Sequence, residues 1–322
     1  MQQLYPLKFT PIYKEKLWGG RKLESVFSKN IPKGKIGESW EISGVQGDVS
    51  IISNGFLGGK SLTEVIELYK AELVGEKVHK SFGNEFPLLI KFLDADDDLS
   101  IQVHPDDELA KKLENASGKT EMWYIIQRER GSSLIAGFQE GVEREAYLKK
   151  LHSEALEDIL KYKKVEDGEV YFIPAKTVHA IGKGILLAEI QQTSDTTYRI
   201  YDYNRVDPEG NKRDLHTEKA LEVMEFGALI EEKKYGSEEV AEVVSCKFFC
   251  TNILSGNSSL SRDYSGLDSF VIFVITEGEV SIITVAGELY LSAGESVLIP
   301  ASIKEVEIKA VQAFKILETY IP

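Results

Sequence analysis

The sequence predicts a mainly β fold made of two related β units, the first enlarged by helices. Three observations carry that reading. The last eighty or so residues hold only strand signals. They also repeat an earlier stretch: Gly294-Glu-Ser-Val-Leu-Ile-Pro-Ala301 matches Gly168-Glu-Val-Tyr-Phe-Ile-Pro-Ala175, an offset of 294 − 168 = 126 residues. Upstream of each copy, Phe270 to Gly278 resembles Met122 to Gly131. Helical spacing of apolar residues, by contrast, is confined to the first 230 residues.

Residues 1–60 read as short strands between Gly and Pro turns. In Gly37-Glu-Ser-Trp-Glu-Ile-Ser, Glu38, Trp40 and Ile42 alternate with Ser39, Glu41 and Ser43, the pattern of a half-buried strand. Ser61-Leu-Thr-Glu64 is a capping box. Leu62, Ile66, Tyr69 and Leu73 extend an apolar stripe from it, and a second short segment completes a helical region over 62–82. Phe86-Pro-Leu-Leu-Ile-Lys-Phe-Leu reads as a buried strand. The acidic run Asp94 to Asp98 lacks the glycine and distal Glu of a calcium loop, so it reads as a solvated turn. Pro105 can start a helix over 106–114. Val142, Leu148, Leu151, Leu156, Ile159 and Leu160 recur at helical spacing and predict a helical insert over 142–163. A strand follows at Ile185 to Gln192, then a helix over 217–226 with Thr217 as its cap. His79, His152 and His216 have no partner motif and read as structural. The acidic stretch from Glu231 to Glu242 is the linker candidate, dividing 1–230 from 231–322.

Composition narrows the function. With 322 residues and 43% hydrophobic content the chain can bury two cores or one large one. No apolar run reaches a membrane span, and Met1-Gln-Gln-Leu-Tyr-Pro has no basic-then-apolar signal pattern, so a cytoplasmic location is expected. A net charge of −14 with no basic run argues against nucleic-acid and anionic-membrane partners. Cys246 and Cys250 fall on one face of a strand with Val244 and Phe248 and read as buried small hydrophobes.

The chemistry-bearing residues cluster around Leu99-Ser-Ile-Gln-Val-His-Pro-Asp. Strand alternation puts Gln102 and His104 on one face and Ile101 and Val103 on the other. Two donors so placed can converge on one metal ion. Glu121, in Lys119-Thr-Glu-Met-Trp-Tyr, and His179, after the strand ending at Pro174, supply two more candidates. A mixed nitrogen and oxygen set without sulfur suits zinc, and also admits iron, manganese or nickel. Lys119, Glu189, Asp195 and Arg199 surround this set in the sequence order of the same unit.

The ordered pattern Gln-x-His, Glu, Gly-x5-Pro-x4-His resembles the two-part metal signature of cupin barrels, with Gln102 in place of the usual first His. Gln102-Val-His-Pro-Asp, Lys119-Thr-Glu-Met-Trp-Tyr, Pro174-Ala-Lys-Thr-Val-His-Ala and Ser194-Asp-Thr-Thr-Tyr-Arg-Ile-Tyr-Asp together resemble the type I mannose-6-phosphate isomerase family. The similarity runs from Leu17-Trp-Gly-Gly toward the chain end and is strongest between Gly37 and Asp202.

That resemblance implies two cupin-type, jelly-roll-like β-barrels, the first catalytic and the second metal-free. It implies a metal-dependent aldose–ketose isomerase acting on a phosphorylated hexose, moving a proton between C2 and C1 through an enediolate. It implies one zinc per chain on Gln102, His104, Glu121 and His179. By position it places catalytic roles on Arg199, Lys119 and Glu189, and substrate contacts on Lys119, Glu41 and Asp195. An arginine stays charged at neutral pH, so Arg199 is assigned to charge stabilisation. In the repeat, Glu305 aligns with His179 and nothing aligns with Gln102 or His104. A non-catalytic sugar-binding cupin and an iron-dependent cupin oxygenase are the competing readings.

Overall fold

Among the described residues the strands pair antiparallel throughout, building two pairs of facing sheets and a small two-stranded sheet of Phe9–Thr10 with Ile51–Ile52. The computed structural model describes residues 2–322 apart from residues 154 and 208. The first pair is a seven-stranded and a five-stranded sheet. The larger runs in the order Glu231–Lys233, Val170–Ile173, Glu121–Arg128, Ile185–Gln192, Leu88–Ala95, Ile12–Gly20, Ile36–Ile42. The smaller runs Tyr198–Tyr201, Ile101–Val103, His179–Ile181, Ser133–Phe138, Leu160–Lys164. The second pair, five- and four-stranded, holds the C-terminal repeat. The fold is therefore mainly β and of the cupin kind, but each unit is two facing sheets rather than one closed barrel among the described residues.

Side-chain alternation sorts the cores. Trp123 and Ile125 face inward with Leu93, Leu187 and Tyr171, filling the space between the first two sheets. Their neighbours Met122, Tyr124, Phe92 and Ile190 face outward. There they meet Val274, Ile272, Leu298 and Leu317 of the C-terminal sheet and the helices of 62–82 in one shared core. Because both faces are covered, Leu88–Ala95 is buried along its whole length, and its apolar run is near-continuous rather than alternating. Helices Asp107–Glu114, Arg144–His152 and Thr217–Val223 pack on the outer face of the five-stranded sheet, around Tyr147, Ile200 and Val223.

The predicted helices are found with changes. Ser61 and Glu64 form the capping box, and the region divides into Leu62–Tyr69, Ala71–Val74 and Glu76–Phe82. Asp106 caps the next helix by accepting from the Leu109 N–H. The insert predicted over 142–163 is a helix only at Arg144–His152. After a 3-10 turn at Leu156–Ile159, Leu160–Lys164 is an edge strand paired to Ser133–Phe138, with Leu134 and Lys163 in register. Its apolar residues satisfied a helical period by chance; pairing with a free sheet edge decided the outcome. Residue 154 lies outside the described residues. His216, not Thr217, occupies the cap position of the last helix and makes no side-chain cap bond.

Two other expectations change. Asp94 is not in a solvated turn: it is fully buried in the strand and accepts the Lys22 N–H. Residues 244–250 are not one strand but a hairpin, with Ser245 opposite Cys250 and the Cys246 N–H donating to the Phe249 carbonyl. Glu231–Lys233 pairs with Val170–Phe172 in the first unit's larger sheet. We therefore propose a division between the units after residue 233, a few residues beyond the boundary expected at 230.

The repeat has a backbone signature. Gly168 and Gly294 have φ of +84° and +87°, and Gly131 and Gly278 have +90° and +81°. Each turn into or out of a repeated strand uses the left-handed region that favours glycine.

Candidate metal centre and active site

Register builds the site. On the five-stranded sheet, Arg199 lies opposite Gln102, and Gln102 opposite His179. Directly opposed residues share a face, so the three side chains form a row. His104 follows two residues after Gln102, on the same side. On the facing sheet, Glu121 lies opposite Gln191, Trp123 opposite Glu189, and Glu189 opposite Lys91. Both rows point into the space between the sheets.

His104, Glu121 and His179 come together with candidate ligand atoms all within 4.8 Å of one another. His179 Nε2 is 3.3 Å from Glu121 Oε1, and His104 Nε2 is 3.8 Å from Oε2. The Gln102 amide tip is 3.4 Å from His179 Nε2. Each ring has its Nδ1 against a backbone carbonyl, Thr196 for His104 at 2.9 Å and Thr177 for His179 at 2.8 Å. A carbonyl can only accept, so Nδ1 carries the proton and Nε2 turns its lone pair inward. This is the outer-shell arrangement that orients metal-binding histidines.

The donor set fits a divalent cation. Both imidazoles and Glu121 are fully or almost fully buried. Burial pushes the His179 ring down to about 4, and burial followed by Lys119 and His179 pushes His104 well down, so both rings are neutral donors. Burial pushes Glu121 up to about 7; its Oε2 is met by the Lys119 ammonium, while its Oε1 has no hydrogen bond among the described residues. A buried carboxylate so placed calls for a cation. Lys119 Nζ is 2.8 Å from Glu121 Oε2 and 3.1 Å from His104 Nε2. Lys119 therefore reaches the ligand atoms themselves, closer than sequence spacing suggested.

Glu189 is held by Lys91 Nζ at 3.1 Å and by the Trp123 indole N–H at 2.9 Å. Burial opposes its charge, but Lys91 and Lys119 outweigh burial and hold the carboxyl well below its ordinary range. Lys91 is itself buried and lies 5.1 Å from the Trp40 ring centre. Trp40 donates to Glu38, which also pairs with Lys16. The sequence reading passed over Lys91 and Glu38. The available signal was a lysine inside an otherwise apolar strand, since lysine is almost never buried unpaired.

Arg199 is half-buried. Its Nε donates to Ser100 Oγ at 3.3 Å and its Nη1 to the Asp214 carbonyl at 2.8 Å. Among the described residues it forms no ion pair. The nearby acids are otherwise engaged or exposed: Asp202 is taken by Arg205 and Arg213, Glu189 by Lys91, and Asp195 is exposed. Asp195 sits at the rim, next to Thr196, whose carbonyl fixes His104. His216 is structural, its ring nitrogen accepting the Arg199 backbone N–H.

Glu41 is not brought to this site. Trp40 faces Lys91, so the next residue turns to the other side of the sheet. There Glu41 accepts from Lys29 at 2.9 Å and from Ser39, and the Lys29 ammonium lies 5.3 Å from the Phe92 ring centre. Ser39 goes with it. The resemblance implied a substrate contact at Glu41; strand alternation turns its side chain away from the metal centre.

The second unit shows what replaces the centre. Val271 lies opposite Ile299 as Glu121 lies opposite Ile173. Glu318 lies opposite Phe273 and Asn252, as Glu189 lies opposite Trp123 and Lys91. Arg262 lies opposite Val306, the pair matching Gln102 and His179, and Tyr264 then matches His104. The earlier alignment to Glu305 is off by one. The loop after Pro300 is one residue longer than that after Pro174, so Glu305 faces solvent and Val306 faces the core. Buried Glu318 receives Arg262 Nε at 2.8 Å, Arg262 Nη2 at 2.9 Å, Asn252 Nδ2 at 2.6 Å and the Tyr264 hydroxyl. A guanidinium supplies the positive charge in this unit.

Comparisons agree with the geometry. A family model described as the catalytic domain of type I phosphomannose isomerase matches residues 6–136. The mannose-6-phosphate isomerase ManA of Bacillus subtilis is 37% identical over 312 residues, covering 94% of this chain and 96% of that protein. The probable mannose-6-phosphate isomerase GmuF of the same organism is 36% identical over 318 residues, covering 97% and 98%. A crystal structure of the Bacillus subtilis mannose 6-phosphate isomerase superposes with a TM-score of 0.88 at 32% identity, over 98% of this chain and 99% of that one. With a matching cupin architecture and a His–Glu–His cluster between the sheets of its first unit, the chain belongs to the type I phosphomannose isomerase family.

Proposed function

We infer that this chain is a metal-dependent aldose–ketose isomerase that interconverts mannose 6-phosphate and fructose 6-phosphate, with the cytoplasm as its compartment. The observation that carries the chemistry is the buried cluster of His104, Glu121 and His179, with Gln102 at its edge, beside Lys119 and an Arg199 that forms no ion pair among the described residues. No helix among the described residues is long and apolar enough to cross a membrane.

Gln102, His104, Glu121 and His179 would hold one zinc per chain, which when bound supplies Lewis-acid stabilisation of negative charge on the sugar oxygens. The protein's own residues do the rest. Lys119, at the ligand atoms, contacts the sugar's reacting end. Burial and the nearby Arg213 press the Arg199 guanidinium below its ordinary pKa; a cation in that position is stabilised by a bound anion. Arg199 accordingly faces the phosphorylated substrate and the charge that develops in the enediolate. Ser100, bonded to Arg199 Nε, fixes its aim. Glu189, held well below the usual carboxylate range, is a weak base; it acts by fixing Lys91 and the Trp123 ring. Asp195 at the rim contacts the sugar.

A coupled assay of mannose 6-phosphate conversion tests this reading. Turnover should vanish with a chelator and return with zinc, and elemental analysis should give one equivalent. His179→Ala should lose that equivalent. Turnover that persists without metal, two equivalents of metal, or iron-dependent oxygen uptake would each count against the proposal.

Lys119→Met should keep its zinc and lose most of its turnover, because Lys119 touches the ligand atoms without being a ligand. Parental turnover in this variant would refute the contact with substrate.

A further inference from the structure

A separate cavity of about 290 Å³ lies on the far side of the strand Ile36–Ile42 from the metal centre. Its volume is at the small end of the roughly 300–1,000 Å³ common for small-molecule sites. Both halves of the chain wall it. Phe9, Tyr13, Phe27 and Glu41 come from the N-terminal region, and Ser296 and Glu295 from the C-terminal repeat. The isomerase chemistry uses none of these residues.

Its charges cancel. Lys29 pairs with Glu41 and Lys8 with Glu295, so two ammonium groups face two carboxylates. A phosphate entering here would meet a carboxylate beside each lysine. Its hydrogen-bonding capacity, however, is unspent. Glu41 is 4% exposed, and Lys29 and Ser39 both bond its Oε1. Among the described residues nothing bonds Glu41 Oε2, the Tyr13 hydroxyl, or the hydroxyls of Ser28 and Ser296. Burial and the facing Glu41 push the Tyr13 phenol up to about 12, so it stays a donor at neutral pH. Unused donors and acceptors thus share the cavity wall with the aromatic side chains of Phe9, Phe27 and Tyr13. An uncharged ring or chain carrying hydroxyls along one edge and C–H groups along its faces matches that pattern.

We propose that this cavity binds an unphosphorylated hexose or polyol, held between the two units by Tyr13, Glu41 and Ser296 and independent of the metal centre. A ligand bound only by the folded protein also stabilises it by mass action, here by bridging the N-terminal strands to the turn before Ser296.

Saturation-transfer NMR on the full-length, zinc-loaded protein tests the proposal, with D-mannose and sorbitol as probes and saturating fructose 6-phosphate present. Transfer to at least one probe should persist under these conditions. Tyr13→Phe should weaken that binding roughly tenfold, the cost of one buried hydrogen bond, with parental isomerase turnover. Ser296→Ala should weaken it several-fold and serves alone if Tyr13→Phe melts early. Three results would overturn the proposal: no transfer to either probe in the parent, full displacement by fructose 6-phosphate, or parental affinity in the variants.

Discussion

Arg199→Ala should turn over mannose 6-phosphate roughly 10² to 10³-fold more slowly than the parent, the typical loss when one preorganised charge donor is removed. The variant should keep its zinc and its fold. Among the described residues the side chain bonds only a serine hydroxyl and a backbone carbonyl, and neither is a charge left stranded by the change. The backbone bonds between Arg199 and His216 do not involve the guanidinium. Stability should therefore fall by only about 1 kcal/mol. An interaction realised mainly in the transition state lowers kcat more than it raises KM when lost. Arg199→Lys should recover only part of the activity, because a point charge replaces a planar fork. A purely structural arginine would give the opposite result, a lowered melting temperature with parental turnover. The absence of an acidic partner within ion-pair distance already weighs against that role among the described residues.

Arg262→Met should be the most destabilising of these substitutions while leaving the chemistry alone. Glu318 is fully buried between the C-terminal sheets, and among the described residues Arg262 provides its only cation, in a two-pronged contact. Breaking a buried pair from one side costs about 3–5 kcal/mol, because the remaining charge is uncompensated. Arg262 is partly exposed, so the lower figure applies and water can reach some of the gap. About 3 kcal/mol corresponds to a fall in melting temperature of about 5 °C for a chain of this length. Arg262→Met/Glu318→Leu, which removes both charges, should recover much of the loss, as double replacement of buried pairs commonly does. Turnover at a temperature where the protein is folded should match the parent, and zinc content should stay at one equivalent. Thermal melts near the parental value for Arg262→Met would show that Glu318 is satisfied by Tyr264 and Asn252 without it.

The sequence by itself determined the mainly β class, the repeat and the candidate ligands, because each is written in local order. Two-residue periodicity places Gln102 with His104 and Lys119 with Glu121, and a short loop after Pro174 delivers His179. Glycines at Gly168 and Gly294 mark the same left-handed turn twice. What the tertiary structure decided depends on contacts between distant strands. Lys91 reads as a flaw in an apolar run until pairing sets Glu189 against it. Glu41, next in sequence to a site-facing tryptophan, is carried to the opposite face and into another cavity. Residues 160–164 satisfy a helical period yet become an edge strand, since a neighbouring strand edge stabilises them more than a helix would. The one-residue-longer loop in the repeat turns Glu305 outward and puts Val306 in the histidine's place. The same register places Arg262 where Gln102 stands. Alternation has a period of two, so one added residue exchanges inside for outside; local sequence cannot reveal that exchange until the strand finds its partner.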